Sequence, residues 1–210
     1  MADATQFINE EVPPQQRALL PKSHQQAYDA VDEWIQENKW LRIPTVQPGH
    51  LRAWAVDFAL IQLIEFGAWP VRKYEWADFT RPTGKYLKIF TANAVLTVSQ
   101  LADLTAQPRT AVFRQNASFN NQTFLFPEFA PEISDELPHL ILTHGHQQLN
   151  FITIAMPHPE DKNAWLASTP NLLNELREVS SELAPPEAVD VQPMLTIKSE
   201  LTKRLKANDA

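Results

Sequence analysis

The pattern of hydrophobic and polar positions predicts two long helices in the first third of the chain. Over residues 24–40, apolar side chains recur at helical spacing with acidic residues between them. Ser23 followed by Gln26 forms a capping-box pattern that would start this helix. Residues 50–66 are apolar almost all round, so we expect a buried central helix there. The residues expected in the core of this helix pair are Trp34, Trp54, Phe58 and Ile61.

The middle of the chain alternates apolar and polar residues over short stretches, which is typical of strands. Residues 71–79 and 86–90 are expected to pair as a hairpin, because residues 81–84 (Arg-Pro-Thr-Gly) carry a type I turn signal. The clearest hairpin joins residues 139–143 to residues 149–156 through a glycine and its polar neighbours. Further short strands are predicted over residues 94–98, 111–113 and 123–126.

Two more helices are predicted near the end of the sequence. Thr169-Pro170 would open the first of them, with threonine as the cap and proline in the first turn. Residues 184–193 hold three prolines and no glycine, which is typical of a stiff linker. The helix beyond the linker carries one apolar stripe. We expect this stripe to dock on the domain of its own chain. The alternative is that it binds a protein partner or a second copy of the chain. This stripe consists of Met194, Ile197, Leu201 and Leu205.

Together these elements predict an α+β fold in a single domain. An N-terminal helix pair would pack on a mostly antiparallel or mixed sheet, and helices would follow at the C-terminal end. The expected organisation is a flexible segment over residues 1–22, the α+β domain over residues 23–183, a Pro-rich linker over residues 184–193 and an amphipathic helical arm over residues 194–210.

Composition excludes several kinds of chemistry. The chain of 210 residues has no cysteine, which removes disulfides, thiol nucleophiles and cysteine-ligated metals. Its four glycines are too far apart for a phosphate loop or a dinucleotide fingerprint. We therefore expect a protein without a cofactor and identify no catalytic residue. The first eleven residues lack the pattern of a secretory signal, so a cytoplasmic location is expected.

Charge is distributed unevenly along the sequence. The net charge is −7, yet residues 38–126 hold ten basic and five acidic residues, a local net charge of +5. Aromatic residues are interleaved with these cations, and proteins that bind single-stranded nucleic acids use this combination. The commoner outcome is that most such rings are buried in the core. The candidate nucleic-acid contacts are Arg72, Lys73, Arg81, Lys85, Lys88, Arg109 and Arg114.

Histidines cluster near the predicted second hairpin and suggest a metal site. Imidazole is a common ligand of zinc and nickel, and His139, His144 and His146 could be joined by Asp161 or His158. We favour the alternative that His144 and His146 are solvated turn residues, and expect no metal. Glu160-Asp161-Lys162 also resembles the acid–spacer–lysine pattern of metal-dependent nucleases, but its prolines favour a solvated loop.

Residues 96–115 allow two interpretations. Arg109 and Arg114 would face DNA if this stretch were a helix-turn-helix, whereas its β-prone residues favour a strand, a loop and a second strand. Short runs from residue 114 to residue 165 resemble uncharacterised proteins of bacteria and their phages, a resemblance that implies no activity.

Two classes of function remain. The first is a non-catalytic binding or regulatory protein that acts through protein–protein contacts, including contacts of the C-terminal helix. The alternative is a nucleic-acid-acting protein, either a DNA-binding regulator or a metal-dependent nuclease. Several carboxylates around one lysine would indicate a nuclease. A continuous basic face would indicate a nucleic-acid binder. An exposed apolar patch would indicate a protein that binds other proteins.

Overall fold

A mixed sheet of six strands runs through the middle of the protein, and its strands lie side by side in sequence order. A computed structural model describes residues 3–38, 48–79, 84–109, 111–125, 137–174 and 196–203. The strands are β1 (Lys73–Asp78), β2 (Lys85–Phe90), β3 (Val95–Leu101), β4 (His139–Gly145), β5 (Ile152–Pro157) and β6 (Trp165–Ser168).

Neighbouring strands are antiparallel except for β3 and β4, which are parallel. A parallel pair needs a crossover connection, and here the crossover contains two short helices. The helices are α1 (Ala4–Glu11), α2 (Pro14–Arg17), α3 (Leu20–Glu37), α4 (Pro48–Glu65), α5 (Val112–Phe119) and α6 (Gln122–Leu125). Residues 172–174 and 196–203 are also helical. The α+β fold class is therefore confirmed, with helices before and after a mixed sheet.

The sheet has one apolar face and one polar face, because side chains alternate along each strand. Register places Leu96 beside Leu140, and the hydrophobic side chains at the centre of this face belong to the same core as α1, α3 and α4. We call this the apolar face; its central residues are Leu87, Ile89, Leu96, Leu140, Leu142, Ile152, Ile154 and Met156. The opposite surface, the polar face, carries Lys73, Glu75, Tyr86, Lys88, Thr97, Ser99, His139, Thr143 and Thr153.

The helix α5 covers part of the polar face. Its Phe113 ring stacks on the ring of Tyr86, with centroids 3.9 Å apart. Behind it, the side chain of Asn121 accepts a hydrogen bond from the backbone N–H of His139 at 2.8 Å and donates to two carbonyl oxygens of β4 and β5. These bonds hold the crossover against the sheet. Open space remains on either side of α5.

Both predicted N-terminal helices are present, and so are both hairpins. Trp34 and Ile61 are buried, while Trp54 and Phe58 are partly buried against the same core. Gly145 closes the second hairpin, where a Cβ atom would collide with the carbonyl oxygen of Gln148. Residues 81–83 of the predicted turn at residues 81–84 lie outside the described residues, as does the predicted linker.

The N-terminal segment differs from the expectation of a flexible stretch over residues 1–22. Residues 4–17 form α1 and α2, and Ile8 and Val12 are buried. The Glu11 carboxylate is also buried and accepts bonds from the Thr91 hydroxyl at 2.6 Å and the Asn93 N–H at 2.8 Å. These partners are about eighty residues away in sequence, so local pattern could not reveal them.

Two helix starts were also predicted wrongly. The helix α3 begins at Leu20, so Ser23 lies buried inside it rather than at its cap. Proline in the first turn suits this earlier start, because its missing N–H would have no partner there. Near the end, Asn171 rather than Thr169 caps the next helix by accepting from the Leu173 N–H at 3.1 Å. Thr169 accepts instead from the Ile154 N–H at 3.0 Å and so ties the chain to β5.

Residues 96–115 form neither a helix-turn-helix nor two strands. The stretch contains most of β3, a loop, and the start of α5. Residues 111–113 and 123–126 had been predicted as strands, but the described parts of both lie in or next to α5 and α6. Contacts with the sheet override the β propensity of these short apolar runs. The strand β6 was not predicted.

Candidate binding site on the polar face

A cleft of about 770 Å³ lies between α5 and the polar face of β1, β2 and β3. We call it the cationic cleft, because three basic side chains line it together with three aromatic rings. These residues are Arg72, Lys73, Lys88, Tyr86, Phe90 and Phe113. The cleft is as large as many ligand sites, which run from about 300 to 1,000 Å³.

Strand register explains why the cations converge. Lys88 lies on the polar face, opposite Thr97 of β3 and Glu75 of β1. Lys73 pairs with Phe90 in the same sheet, and its ammonium lies 4.4 Å from the centre of that ring. Arg72 extends the pairing through its backbone N–H, which donates to the Phe90 carbonyl at 2.8 Å.

Negative charge near the cleft compensates only part of this positive charge. Glu75 lies 3.2 Å from the Lys73 ammonium and 3.9 Å from that of Lys88. Among the described residues that line the cleft itself there is no carboxylate. Exposed ion pairs are weak, so an anionic ligand could replace Glu75 at little cost.

Two of the three rings in the cleft stack on each other. Tyr86 and Phe113 stack with an interplanar angle of 22°, and Phe79, outside the cleft lining, lies 5.2 Å from Tyr86. The Lys88 ammonium lies 5.9 Å from the centre of the Tyr86 ring, within range of a cation–π contact. Cations and rings are therefore in contact within the same cleft.

His139 forms the buried floor of the cleft. Its Nε2 lies 2.9 Å from the Thr97 hydroxyl, and Nδ1 has no partner among the described residues. Burial is the main cause that lowers the pKa of His139 to about 3, and the charges of Arg114 and Lys88 lower it further. The ring is therefore neutral at neutral pH.

The structure brings together only part of the predicted nucleic-acid set. Arg72, Lys73 and Lys88 share the cationic cleft. Arg109 and Arg114 lie on the other side of α5, where they line a separate small pocket. Lys85 lies outside the cleft with its ammonium 3.7 Å from the Asp78 carboxylate, and Arg81 lies outside the described residues.

The predicted metal candidates are not brought together. Because His139 and His144 are five positions apart on one strand, they project to opposite faces of the sheet. His146 is exposed beyond the strand, and Asp161 lies in a loop after β5. Within the described ranges, no group of three or more potential ligands could hold a metal ion.

The expectation that His144 is a solvated turn residue is wrong. It is fully buried on the apolar face, and its Nδ1 lies 2.8 Å from the Tyr28 hydroxyl. That hydroxyl also donates to the Gly145 carbonyl. The ring of His24 lies 5.4 Å away, edge to face. Burial lowers the pKa of His144 well below its ordinary value, with a smaller effect from His24.

Two of the predicted partner-binding residues are buried within the chain. Ile197 and Leu201 belong to the hydrophobic core, and the Trp34 indole donates to the Thr202 hydroxyl at 3.2 Å. The Lys198 ammonium lies 2.6 Å from the Glu33 carboxylate. Helical residues 196–203 thus contact α3, whereas Met194 and Leu205 lie outside the described residues.

Sequence reasoning missed Phe90 and Phe113 as parts of a binding surface, and it considered His139 only as a metal ligand. Alternation along β2 would have placed Phe90 on the same face as Lys88. Nothing local could have placed Phe113 there, because its position depends on the crossover helix.

Comparison with known proteins gives no match: no family model, no curated protein and no solved structure is similar to this chain. Within the described residues, no helix has the length and apolar character needed to cross a membrane. The functional argument therefore rests on the geometry of the cleft.

Proposed function

We propose that this is a non-catalytic binding protein whose cationic cleft holds single-stranded nucleic acid. One observation carries the proposal: three cations and three aromatic rings line the same cleft, and no carboxylate is among its described lining residues. Cations attract the phosphates of a strand, while aromatic rings stack on its exposed bases. This pairing of groups suits a ligand that is both anionic and planar.

The shape of the surface favours a single strand over a duplex. Reading the major groove requires a protruding helix or ribbon. The helix α5 has only eight residues and packs on the sheet through Phe113, so it does not protrude. A concave groove with rings along its wall suits unpaired bases.

The overall charge of −7 opposes binding at long range. Contacts inside the cleft must therefore supply the attraction, and few phosphates are engaged. We expect moderate affinity that falls as salt rises, because each neutralised phosphate releases a counterion.

Fluorescence anisotropy with labelled single-stranded DNA and RNA of about twelve nucleotides tests the proposal at low ionic strength. The double variant Lys73→Gln with Lys88→Gln should bind at least about tenfold more weakly, because two phosphate contacts are lost. Lys22→Gln is the matched control, since Lys22 is exposed on α3, away from the cleft. It should change affinity less than about twofold.

Two results would contradict the proposal. One is the absence of saturable binding by the wild-type protein at low salt. The other is equal loss of affinity in the double variant and in the Lys22 control, which would indicate attraction by the protein's overall charge. Urea unfolding of each variant checks that a loss of binding is not a loss of fold.

A second candidate function is a protein contact beside the cleft. Three of the four large hydrophobic side chains that are exposed in the described residues, Leu104, Val112 and Phe119, lie in the loop before α5 or on α5 itself. Val112 and Phe119 are seven positions apart on α5 and therefore share one face of the helix. Exposed apolar groups on one face are typical of interaction surfaces. A partner captured specifically by the wild-type protein and lost with Phe119→Ser, but retained with Phe66→Ser, would support this function.

A further inference from the structure

We propose that the small pocket on the other side of α5 binds an oxyanion of phosphate size. This pocket has a volume of about 60 Å³. Its charged and hydrogen-bonding lining includes Arg109, Arg114, His158, Asp161 and Lys162. We call it the anion pocket. It shares no basic residue with the cationic cleft, so this inference does not depend on the proposed function.

Arg114 is the central group of the anion pocket. Its guanidinium donates to the Arg109 carbonyl at 3.0 Å and lies 3.4 Å from the Ser99 hydroxyl. Its Nε is buried without a hydrogen-bond partner, and no carboxylate pairs with the guanidinium in the described part of the chain. Partly buried cations are usually paired, so an unpaired arginine lining a pocket indicates a site for an anion.

His158 adds a hydrogen-bond donor to the lining of the pocket. The backbone N–H groups of Glu160 and Asp161 both donate to its Nδ1, at 3.2 and 3.0 Å. An N–H can only donate, so Nδ1 must be the acceptor and the neutral ring carries its hydrogen on Nε2. The loop thereby fixes the tautomer and leaves Nε2–H as the group that can donate to a bound anion.

The charge balance of the pocket is positive. Arg109, Arg114 and Lys162 contribute three positive charges against the single carboxylate of Asp161, a net charge of +2. Asp161 is itself engaged by the loop, since its side chain accepts from the Asn163 N–H at 2.9 Å. A dianion would neutralise the pocket.

The size of the pocket suits a small ligand. Its volume exceeds the minimum that a single water needs and is of the right order for one small tetrahedral anion. The shared ligand chemistry is a phosphate dianion, either as free inorganic phosphate or as the terminal phosphate of a nucleic-acid strand.

Isothermal titration calorimetry with inorganic phosphate, in a buffer without other oxyanions, tests the inference. We expect one site with a Kd at or below about 1 mM. Arg114→Gln should weaken binding at least tenfold, about 1.4 kcal/mol. Arg72→Gln removes a cation of the cationic cleft instead and should leave phosphate binding unchanged.

A second variant covers the case in which Arg114→Gln fails to fold. Lys162 is exposed, so Lys162→Gln should preserve the fold and weaken phosphate binding severalfold. The inference is wrong if phosphate gives no saturable heat up to about ten times the expected Kd. It is equally wrong if the folded variants of the anion pocket bind phosphate as tightly as the wild type.

A comparison of oligonucleotides with a 5′-phosphate and with a 5′-hydroxyl distinguishes the two sources. Tighter binding of the phosphorylated strand, lost with Lys162→Gln, identifies a strand end as the ligand. Equal binding of both strands, together with saturable phosphate binding, identifies free phosphate. Failure of the cationic cleft to bind any strand would leave the phosphate titration unaffected, so the two proposals fail separately.

Discussion

The two faces of the sheet are built by the same strands but are covered in different ways. On the apolar face, Leu140 and Leu142 lie fully buried beneath α3 and α4. On the polar face, the helix that the described residues place over the strands is the short α5, and open clefts remain beside it. Burial of apolar area stabilises a fold, whereas an open cleft lined by cations and rings can accept a ligand. The comparison assigns stability to one face and binding to the other.

Each face also contains a buried histidine, and the two histidines have different surroundings. His144 lies among helix residues and contacts Tyr28 and His24. His139 lies beneath the cationic cleft, where Lys88 and Arg114 add to the effect of burial on its pKa. Both rings are kept neutral, but only His139 borders a space that a ligand could enter.

The largest effect should come from removing a core side chain on the apolar face. Leu142→Ala should lower the free energy of unfolding by about 2–5 kcal/mol, because it leaves a cavity at a fully buried position. Val112→Ala removes an exposed side chain of α5 and should cost less than about 0.5 kcal/mol. Urea unfolding measures the free energy of unfolding of both variants. Equal losses would contradict the proposal that the apolar face, rather than the polar face, supplies the stability.

Acid should destabilise the helix side of the protein through its buried histidines. Burial lowers the pKa of His24 from 6.5 to about 4, although its bond to the Leu20 carbonyl partly opposes this. Between these pH values the unfolded chain takes up a proton that the folded chain excludes, so stability falls as pH falls. The loss from His24 is about 3 kcal/mol.

The variant His24→Leu tests this pH dependence. Its stability should fall less steeply than that of the wild type as pH is lowered from 6.5 to 4. The difference between the two proteins isolates His24 from carboxylates that titrate in the same range. Parallel stability curves would show that His24 does not carry the effect.

The C-terminal helix should stabilise the apolar side without joining two chains. Ile197 is buried in the core, and Ile197→Ala should cost about 2 kcal/mol in urea unfolding. Truncation after Pro186 should lower stability further but leave the molar mass in light scattering unchanged. A change from dimer to monomer on truncation would instead show that the helix is exchanged between copies.

The ion pairs on the same helix should matter least. Lys198 lies within 2.9 Å of both Glu33 and Glu37, but the two carboxylates are more than half exposed. Lys198→Gln should therefore cost less than about 1 kcal/mol, because water and salt weaken such pairs. A loss as large as that of Ile197→Ala would show that charge, rather than apolar burial, holds this helix in place.

Long periodic segments were predictable from the sequence, and the reason is physical. The helix α4 is apolar over most of its 18 residues, and α3 carries a continuous stripe, so their burial follows from pattern alone. The hairpin of β4 and β5 was predictable because its turn needs glycine at position 145. The projection of His139 and His144 to opposite faces of the sheet also follows from the sequence, because side chains alternate along a strand.

The candidate site was only partly predictable. The cations of β1 and β2 were identified from composition, but their cleft is completed by α5, which was predicted to contain a strand. The segment around α1 depends on bonds between Glu11 and the loop that contains Thr91. In both cases, contacts between residues distant in sequence decide the local structure.

Hydrogen exchange with and without bound single-stranded oligonucleotide tests the central claim most directly, because it reads both faces in one experiment. We expect slower exchange in peptides covering residues 85–101 and 112–120, which include the cationic cleft, and no change in residues 24–37 of α3 or 51–64 of α4. Protection of α3 and α4 instead, or no protection on either face at saturating oligonucleotide, would contradict the assignment of binding to the polar face.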